Sequence, residues 1–119
     1  MTIQKTNTEL EIILGQLNRI VEENVILPVG VSYKIVKNRF SIELALAPFR
    51  IVRDEIINRY SNGMGHLLKT DENYNKATAE ILQIAEKSVE VYISEITLEE
   101  LGEKELPLNV VSALGFMMK

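Results

Sequence analysis

The single histidine, His66, is the first side chain to consider for chemistry, because imidazole acts as a general base or a metal ligand near neutral pH. Its nearest carboxylates in the sequence are Asp71 and Glu72, across a predicted loop. The chain has no second histidine and no cysteine, which excludes two-histidine metal sites, thiolate sites and cysteine nucleophiles. We therefore expect a loop histidine without a catalytic role, and neither a cofactor nor a metal.

The serines offer no replacement nucleophile, because none lies in a nucleophile-elbow pattern. The segment 61–65, SNGMG, lacks both the glycine spacing and the lysine of a phosphate-binding loop, so it is predicted to be a turn. Since no nucleophile can be paired with a base, the sequence predicts a protein that is not an enzyme.

Two arginines three residues apart, Arg50 and Arg53, are candidates for binding an anion, because the guanidinium fork matches phosphate geometry. Lys37 is a third candidate for the same ligand. Alternatively, the arginines pair with Asp54 and Glu55 or with the acidic half of the chain.

Charge is distributed unevenly along the chain. Residues 28–69 contain seven basic and three acidic side chains, a net +4, whereas residues 70–105 contain ten acidic and three basic ones, a net −7. This asymmetry either provides complementary surfaces, within the chain or between copies, or forms two solvated faces. Because the whole chain carries a net charge of −4, nucleic acid is not an expected partner.

A length of 119 residues with 46% hydrophobic residues predicts one domain, residues 1–119, with a small core of Leu, Ile and Val. No run of about 18 apolar residues is present, so we expect no membrane span. The N-terminal segment lacks the apolar region of a signal peptide, and the lack of cysteine fits a reducing compartment.

Hydrophobic spacing predicts a helical hairpin in which residues 8–24 pack against residues 28–60. A capping box formed by Thr8 and Glu11 opens the first helix. The second helix begins with Pro28 in its first turn, where the missing N–H is harmless.

The second helix contains two ambiguities. Over residues 28–37 the apolar residues alternate, as they would in a strand. Further on, Pro48 removes a helical hydrogen bond and its ring clashes with the preceding turn. We therefore expect either a kink near residues 45–47 or two separate helices.

Residues 89–94 alternate apolar and polar side chains and form the clearest predicted strand. A strand needs a ladder partner, and the candidates are residues 65–69 or the same strand of a second chain. Between these two segments, residues 71–87 are predicted to be a helix with Asp71 as its cap.

The C-terminal part begins with a second capping box, Thr97 and Glu100, which opens a short turn of helix ending at Gly102. Pro107 then starts a last helix, whose apolar residues are Leu108, Val111, Leu114, Met117 and Met118. The predicted fold class is α+β and mostly helical, with a long helical hairpin, a small two-stranded β element and a C-terminal helix.

A seven-residue apolar repeat along the second helix and one face of the strand predict an interface between copies of the chain, because a small chain has few other places to bury them. The predicted interface residues are Ile35, Ile42, Phe49, Ile56, Val91 and Ile93. The expected assembly is a homo-oligomer.

Two parts of the chain together form a recognisable pattern. They are LPVGVSYKIVKN (27–38) with the helix end RDEIINRY (53–60), and VEVYISEI (89–96) with LEEL (98–101) and an apolar C-terminal helix. The pattern resembles a family of small uncharacterised proteins encoded by tailed bacteriophages and prophages. The resemblance covers roughly residues 25–118, with Pro28 and the pair Lys37–Asn38 matching. It implies a phage or prophage origin, with the protein in the host cytoplasm or the virion, and carries over no site residue.

These observations predict a non-enzymatic protein that acts by protein–protein interaction, as a particle component or an assembly factor. The alternative is a phage inhibitor of a host defence system, which binds a host enzyme or sequesters an anionic small molecule through Arg50, Arg53 and Lys37. Loss of anion binding in Arg50→Ala or Arg53→Ala would favour the alternative.

Overall fold

The structure is a computed structural model that describes residues 1–102 and 105–119. It is elongated, with principal extents of 54 × 27 × 18 Å. The elements in chain order are β1 (Thr2–Thr6), α1 (Asn7–Glu22), α2 (Val29–Tyr60), α3 (Tyr74–Ala85), β2 (Ser88–Tyr92), α4 (Leu98–Leu101) and α5 (Leu108–Leu114). A 3₁₀ turn, Gly115–Met117, follows α5. The predicted α+β, mostly helical class is confirmed.

The two-stranded sheet pairs the ends of the chain. β1 and β2 run antiparallel, with Thr2 opposite Tyr92 and Thr6 opposite Ser88. The prediction that β2 pairs with residues 65–69 was wrong, because that segment forms turns and irregular structure. A partner from a second chain is not needed, since β1 satisfies the ladder groups on one edge of β2.

The N-cap of α1 lies two residues earlier than predicted. Thr6, not Thr8, is the N-cap: its side chain accepts a hydrogen bond from the Glu9 N–H, and the Glu9 carboxylate accepts one from the Thr6 N–H. Thr8 instead donates its hydroxyl hydrogen to the Ala85 carbonyl at 3.3 Å. The start of α1 therefore satisfies a carbonyl group at the end of α3, which has no partner within its own helix.

α2 is one continuous helix of 32 residues, so both the strand alternative for 28–37 and the two-helix alternative were wrong. At 1.5 Å per residue it is about 48 Å long, which accounts for most of the length of the molecule. The helix continues on both sides of Pro48, whose side chain is exposed.

The core lies between one face of α2, the inner face of α1 and the C-terminal segments.

α3 begins at Tyr74 with Asn73 in the cap position. Asp71 instead accepts a hydrogen bond from the Leu68 N–H and closes the preceding turn. The predicted capping box of α4 is confirmed, and Gly102 ends α4 with a φ of +78°, a conformation that favours glycine.

The last helix buries only part of the apolar set that the sequence indicates. Its buried side chains are Val110, Ala113 and Leu114, followed by Met117, whereas Leu108 and Val111 are exposed. A backbone bridge between Ile96 and Met118 holds the end of the chain against the segment after β2.

Candidate protein-interaction surface

The predicted anion ligands do not converge. Arg50 makes two hydrogen bonds to Glu11 of α1, at 2.9 and 3.0 Å, and Arg53 lies 3.7 Å from the same carboxylate. Hydrogen bonding to Arg50 lowers the pKa of Glu11, opposed by partial burial. Lys37 lies thirteen residues from Arg50, about 20 Å along the helix, with its ammonium group 5.9 Å from the centre of the Tyr33 ring. No small ligand can contact all three residues together.

The predicted interface residues lie inside the single chain. Each of the six is less than a tenth exposed, and Ile42 and Ile93 are fully buried. The residues of the repeat on α2 are Ile35, Ile42, Phe49 and Ile56, and those on and after β2 are Val91 and Ile93. Because the chain covers these side chains by itself, their burial requires no second copy.

His66 lies in the turns that connect α2 to α3, beside an open depression of about 290 Å³. Its Nδ1 is 3.2 Å from the Met64 carbonyl oxygen. The polar neighbours are engaged in the turns themselves: Ser61 Oγ accepts from the Gly65 N–H, and Asp71 accepts from the Leu68 N–H. Among the hydrogen bonds of the described residues, none joins His66 to a serine or a carboxylate.

The described residues contain neither a metal-binding cluster nor a membrane-spanning helix. In 1–102 and 105–119, no three His, Asp or Glu side chains gather in a group that could hold a metal ion. None of the helices in these segments combines the length and the apolar character needed to cross a membrane.

The feature that sequence reasoning missed is a second apolar file on α2, opposite the core. We call it the outer stripe, and it consists of Val29, Tyr33, Val36, Phe40, Leu44, Ala47 and Ile51. Tyr33 and Phe40 are each 67% exposed, and Leu44 is 77% exposed. The signal was present in the sequence, because these residues recur at intervals of three and four, which places them on one side of a helix.

Charged side chains flank the outer stripe on both edges. On the edge next to α1 lie Arg39, Glu43, Arg50 and Asp54, as the hydrogen bonds of Arg39 to Asn18 and of Arg50 to Glu11 show. Lys37 and Glu55 lie on the other edge. They are eighteen residues apart, which is five full helical turns, so they point in the same direction from α2. Among the residues that the structure describes, Lys37 and Glu55 form no ion pair.

The sequence analysis also missed the structural role of one buried polar side chain, Asn38. Asn38 is 1% exposed and binds the backbone of Ser94 twice: its amide group donates to the Ser94 carbonyl at 3.0 Å, and its carbonyl accepts from the Ser94 N–H at 2.8 Å. The amide also lies 3.4 Å from the sulfur of Met117. Asn38 thus fixes the middle of α2 to the segment after β2.

Comparison of the chain with protein-family models, with curated proteins and with solved structures finds no significant match.

Proposed function

We propose that this chain is a non-catalytic protein encoded by a phage or prophage, and that it acts through protein–protein contact as a particle component or an assembly factor. The outer stripe of α2 is the observation that carries the proposal. From Val29 to Ile51 it extends about 33 Å. Single exposed hydrophobic residues are normal on protein surfaces, but a continuous exposed file marks an interaction site.

The polar groups of the chain support a role without catalysis. Those nearest His66 are engaged in turn hydrogen bonds, and Glu11 binds both arginines that sequence analysis offered as anion ligands. These groups stabilise the fold. The outer stripe, by contrast, stays exposed in the single chain. No observation favours the sequestering of a small anion.

The phage origin rests on the resemblance of residues 25–118 to small phage and prophage proteins. A particle component or an assembly factor would act in the host cytoplasm or within the virion. An exposed apolar stripe suits both roles, because each depends on burying surface against another protein chain.

The test is Leu44→Glu, introduced at the native locus of the phage or prophage, with the yield and protein composition of purified particles as the readout. The matched control is Leu108→Glu, because Leu108 on α5 is 80% exposed, similar to Leu44. Both variants should fold, as both side chains are mostly in solvent, and circular dichroism of the purified variants checks this.

We expect Leu44→Glu to lower particle yield or to remove the protein from particles, while Leu108→Glu leaves both unchanged. A particle component will be found in purified virions at a fixed copy number; an assembly factor will be absent from them although yield falls. If the folded Leu44→Glu variant changes neither yield nor composition, the outer stripe is not a working surface and the proposal fails.

A further inference from the structure

We infer that the outer stripe of α2 binds the outer stripe of a second copy of this chain, with the two α2 helices antiparallel. This inference rests on the proposed function, since it names the partner of the surface assigned there. Its basis is the order of charges along both edges of the stripe. When a second copy runs in the opposite direction, this order places positive charges of one copy near negative charges of the other.

On the edge next to α1, the charges in chain order are Arg39, Glu43, Arg50 and Asp54, with alternating signs. Glu43 and Arg50 are the fourth residues on either side of the bond between Leu46 and Ala47, and Arg39 and Asp54 are the eighth. An antiparallel copy centred on this bond therefore places Arg39 opposite Asp54 and Glu43 opposite Arg50. Glu11 already neutralises part of the Arg50 charge.

The other edge independently gives nearly the same centre, Leu46. Lys37 is the tenth residue before the Leu46–Ala47 bond, and Glu55 is the ninth residue after it. In the antiparallel arrangement, Lys37 of each copy lies near Glu55 of the other. Both side chains are exposed, and in the described segments neither has an intrachain ion pair.

A parallel arrangement is disfavoured by the same charges, because it would place the edge next to α1 against the other edge of the partner. Arg39 would then lie near Lys37, and Asp54 near Glu55, which brings like charges together. In paired helices, flanking charges set both the choice of partner and the orientation. A twofold axis near Ala47 brings Phe40 of one copy towards Ile51 of the other, and Leu44 towards Ala47. The contact is closed by symmetry, which limits the assembly to a dimer.

The area is sufficient for a stable dimer. With the centre at the Leu46–Ala47 bond, about 28 residues of each α2 overlap, or roughly 42 Å. Tyr33, Val36, Phe40, Leu44 and Ile51 all lie in this overlap, and their exposed fractions range from 40% to 77%. At about 200 Å² per large side chain, these fractions amount to roughly 600 Å² per copy, which corresponds to the lower end of specific interfaces, about 1,200 Å² in total.

The test exchanges the charges of Lys37 and Glu55, which form no ion pair within the described part of the chain. Lys37→Glu and Glu55→Lys are made singly and together, and the dissociation constant of the dimer is measured by analytical ultracentrifugation. Native mass spectrometry reports the species at twice the 13.5 kDa chain mass. Lys76→Glu, an exposed charge reversal on α3, is the control.

Each single exchange turns two attractive contacts of the symmetric dimer into repulsive ones, so the dimer should weaken roughly tenfold. The double exchange should restore the affinity, and an equimolar mixture of the two single variants should form a heterodimer. Lys37 and Glu55 are about 27 Å apart in one chain, too far to interact directly, so restoration can only arise between chains.

Two results would overturn the inference: a wild-type chain that is monomeric at hundreds of micromolar, or a dimer whose affinity the double exchange fails to restore. If the chain is monomeric but Leu44→Glu still lowers particle yield, the stripe has a different protein partner and only the dimer inference fails. If the dimer and its restoration are found but Leu44→Glu leaves particles unchanged, the proposed function fails and the dimer remains.

Discussion

Replacing Asn38 by alanine tests the attachment of α2 to the C-terminal half of the chain. Asn38 is almost completely buried and makes two hydrogen bonds to the backbone of one residue, Ser94. The substitution removes both bonds and leaves the Ser94 N–H and carbonyl without these partners. It also opens space beside the fully buried side chain of Met117.

The expected loss of unfolding free energy follows from these terms. Each intramolecular hydrogen bond contributes about 0.5–1.5 kcal/mol net, and a buried group left without a partner costs about 1–3 kcal/mol. Because Ser94 is only half-buried, water compensates part of this cost. We expect Asn38→Ala to destabilise the protein by about 2–4 kcal/mol, which is a large share of a typical total of about 5–15 kcal/mol. The melting temperature should fall by roughly 10 °C.

The assay is urea unfolding followed by helical circular dichroism, at equal chain concentrations for all variants. Asn75→Ala is the matched control, because Asn75 is an exposed asparagine on α3, and it should change stability by less than about 0.5 kcal/mol. Met117→Leu keeps nearly the same volume while it removes the sulfur, so it should cost less than about 1.5 kcal/mol. An Asn38→Ala loss no larger than that of the control would refute the attachment argument.

Two further predictions concern pH and the proline in α2. Because hydrogen bonding to Arg50 depresses the pKa of Glu11 below its ordinary value of 4.5, the pair's contribution should be complete above that pH and lost as pH falls through the depressed value. Glu11→Gln should therefore flatten the acid limb of a stability–pH curve and cost about 1 kcal/mol or less at pH 7. Pro48→Ala should raise stability by about 1–3 kcal/mol in thermal unfolding, since it restores a helical N–H and removes the ring's clash with the Leu44 carbonyl. Unchanged or lower stability would mean that packing depends on the backbone shape at Pro48.

The elements that sequence reasoning found are those encoded by local signals. The helical hairpin follows from apolar spacing, β2 from alternation, and α4 from the Thr97 capping box, which needs only residues three apart. The start of α1 was misplaced because two overlapping Thr–x–x–Glu patterns, beginning at Thr6 and Thr8, are locally equivalent. A distant contact distinguishes them: Glu11 binds Arg50, so it does not cap the helix.

β1 and the outer stripe were missed for different physical reasons. β1 contains one large apolar residue, Ile3, and its pairing with β2 joins residues about 80 to 90 positions apart, which no local pattern specifies. The outer stripe was missed because α2 carries apolar residues on two faces. The seven-residue repeat through Ile35 and Phe49 predicts the helix without reference to the second face.

The two apolar faces of α2 have separable roles, and the separation can be measured. Asn38 and Phe40 are two residues apart, about 200° around the helix, so they face nearly opposite directions. Asn38→Ala should therefore lower the free energy of unfolding without changing the dissociation constant of a dimer, whereas Leu44→Glu should weaken the dimer and leave monomer stability nearly unchanged. A helix that is apolar on both sides is normally covered on both sides. The single chain covers the side of Asn38 and leaves the side of Phe40 in solvent, which is why we assign that side to a partner.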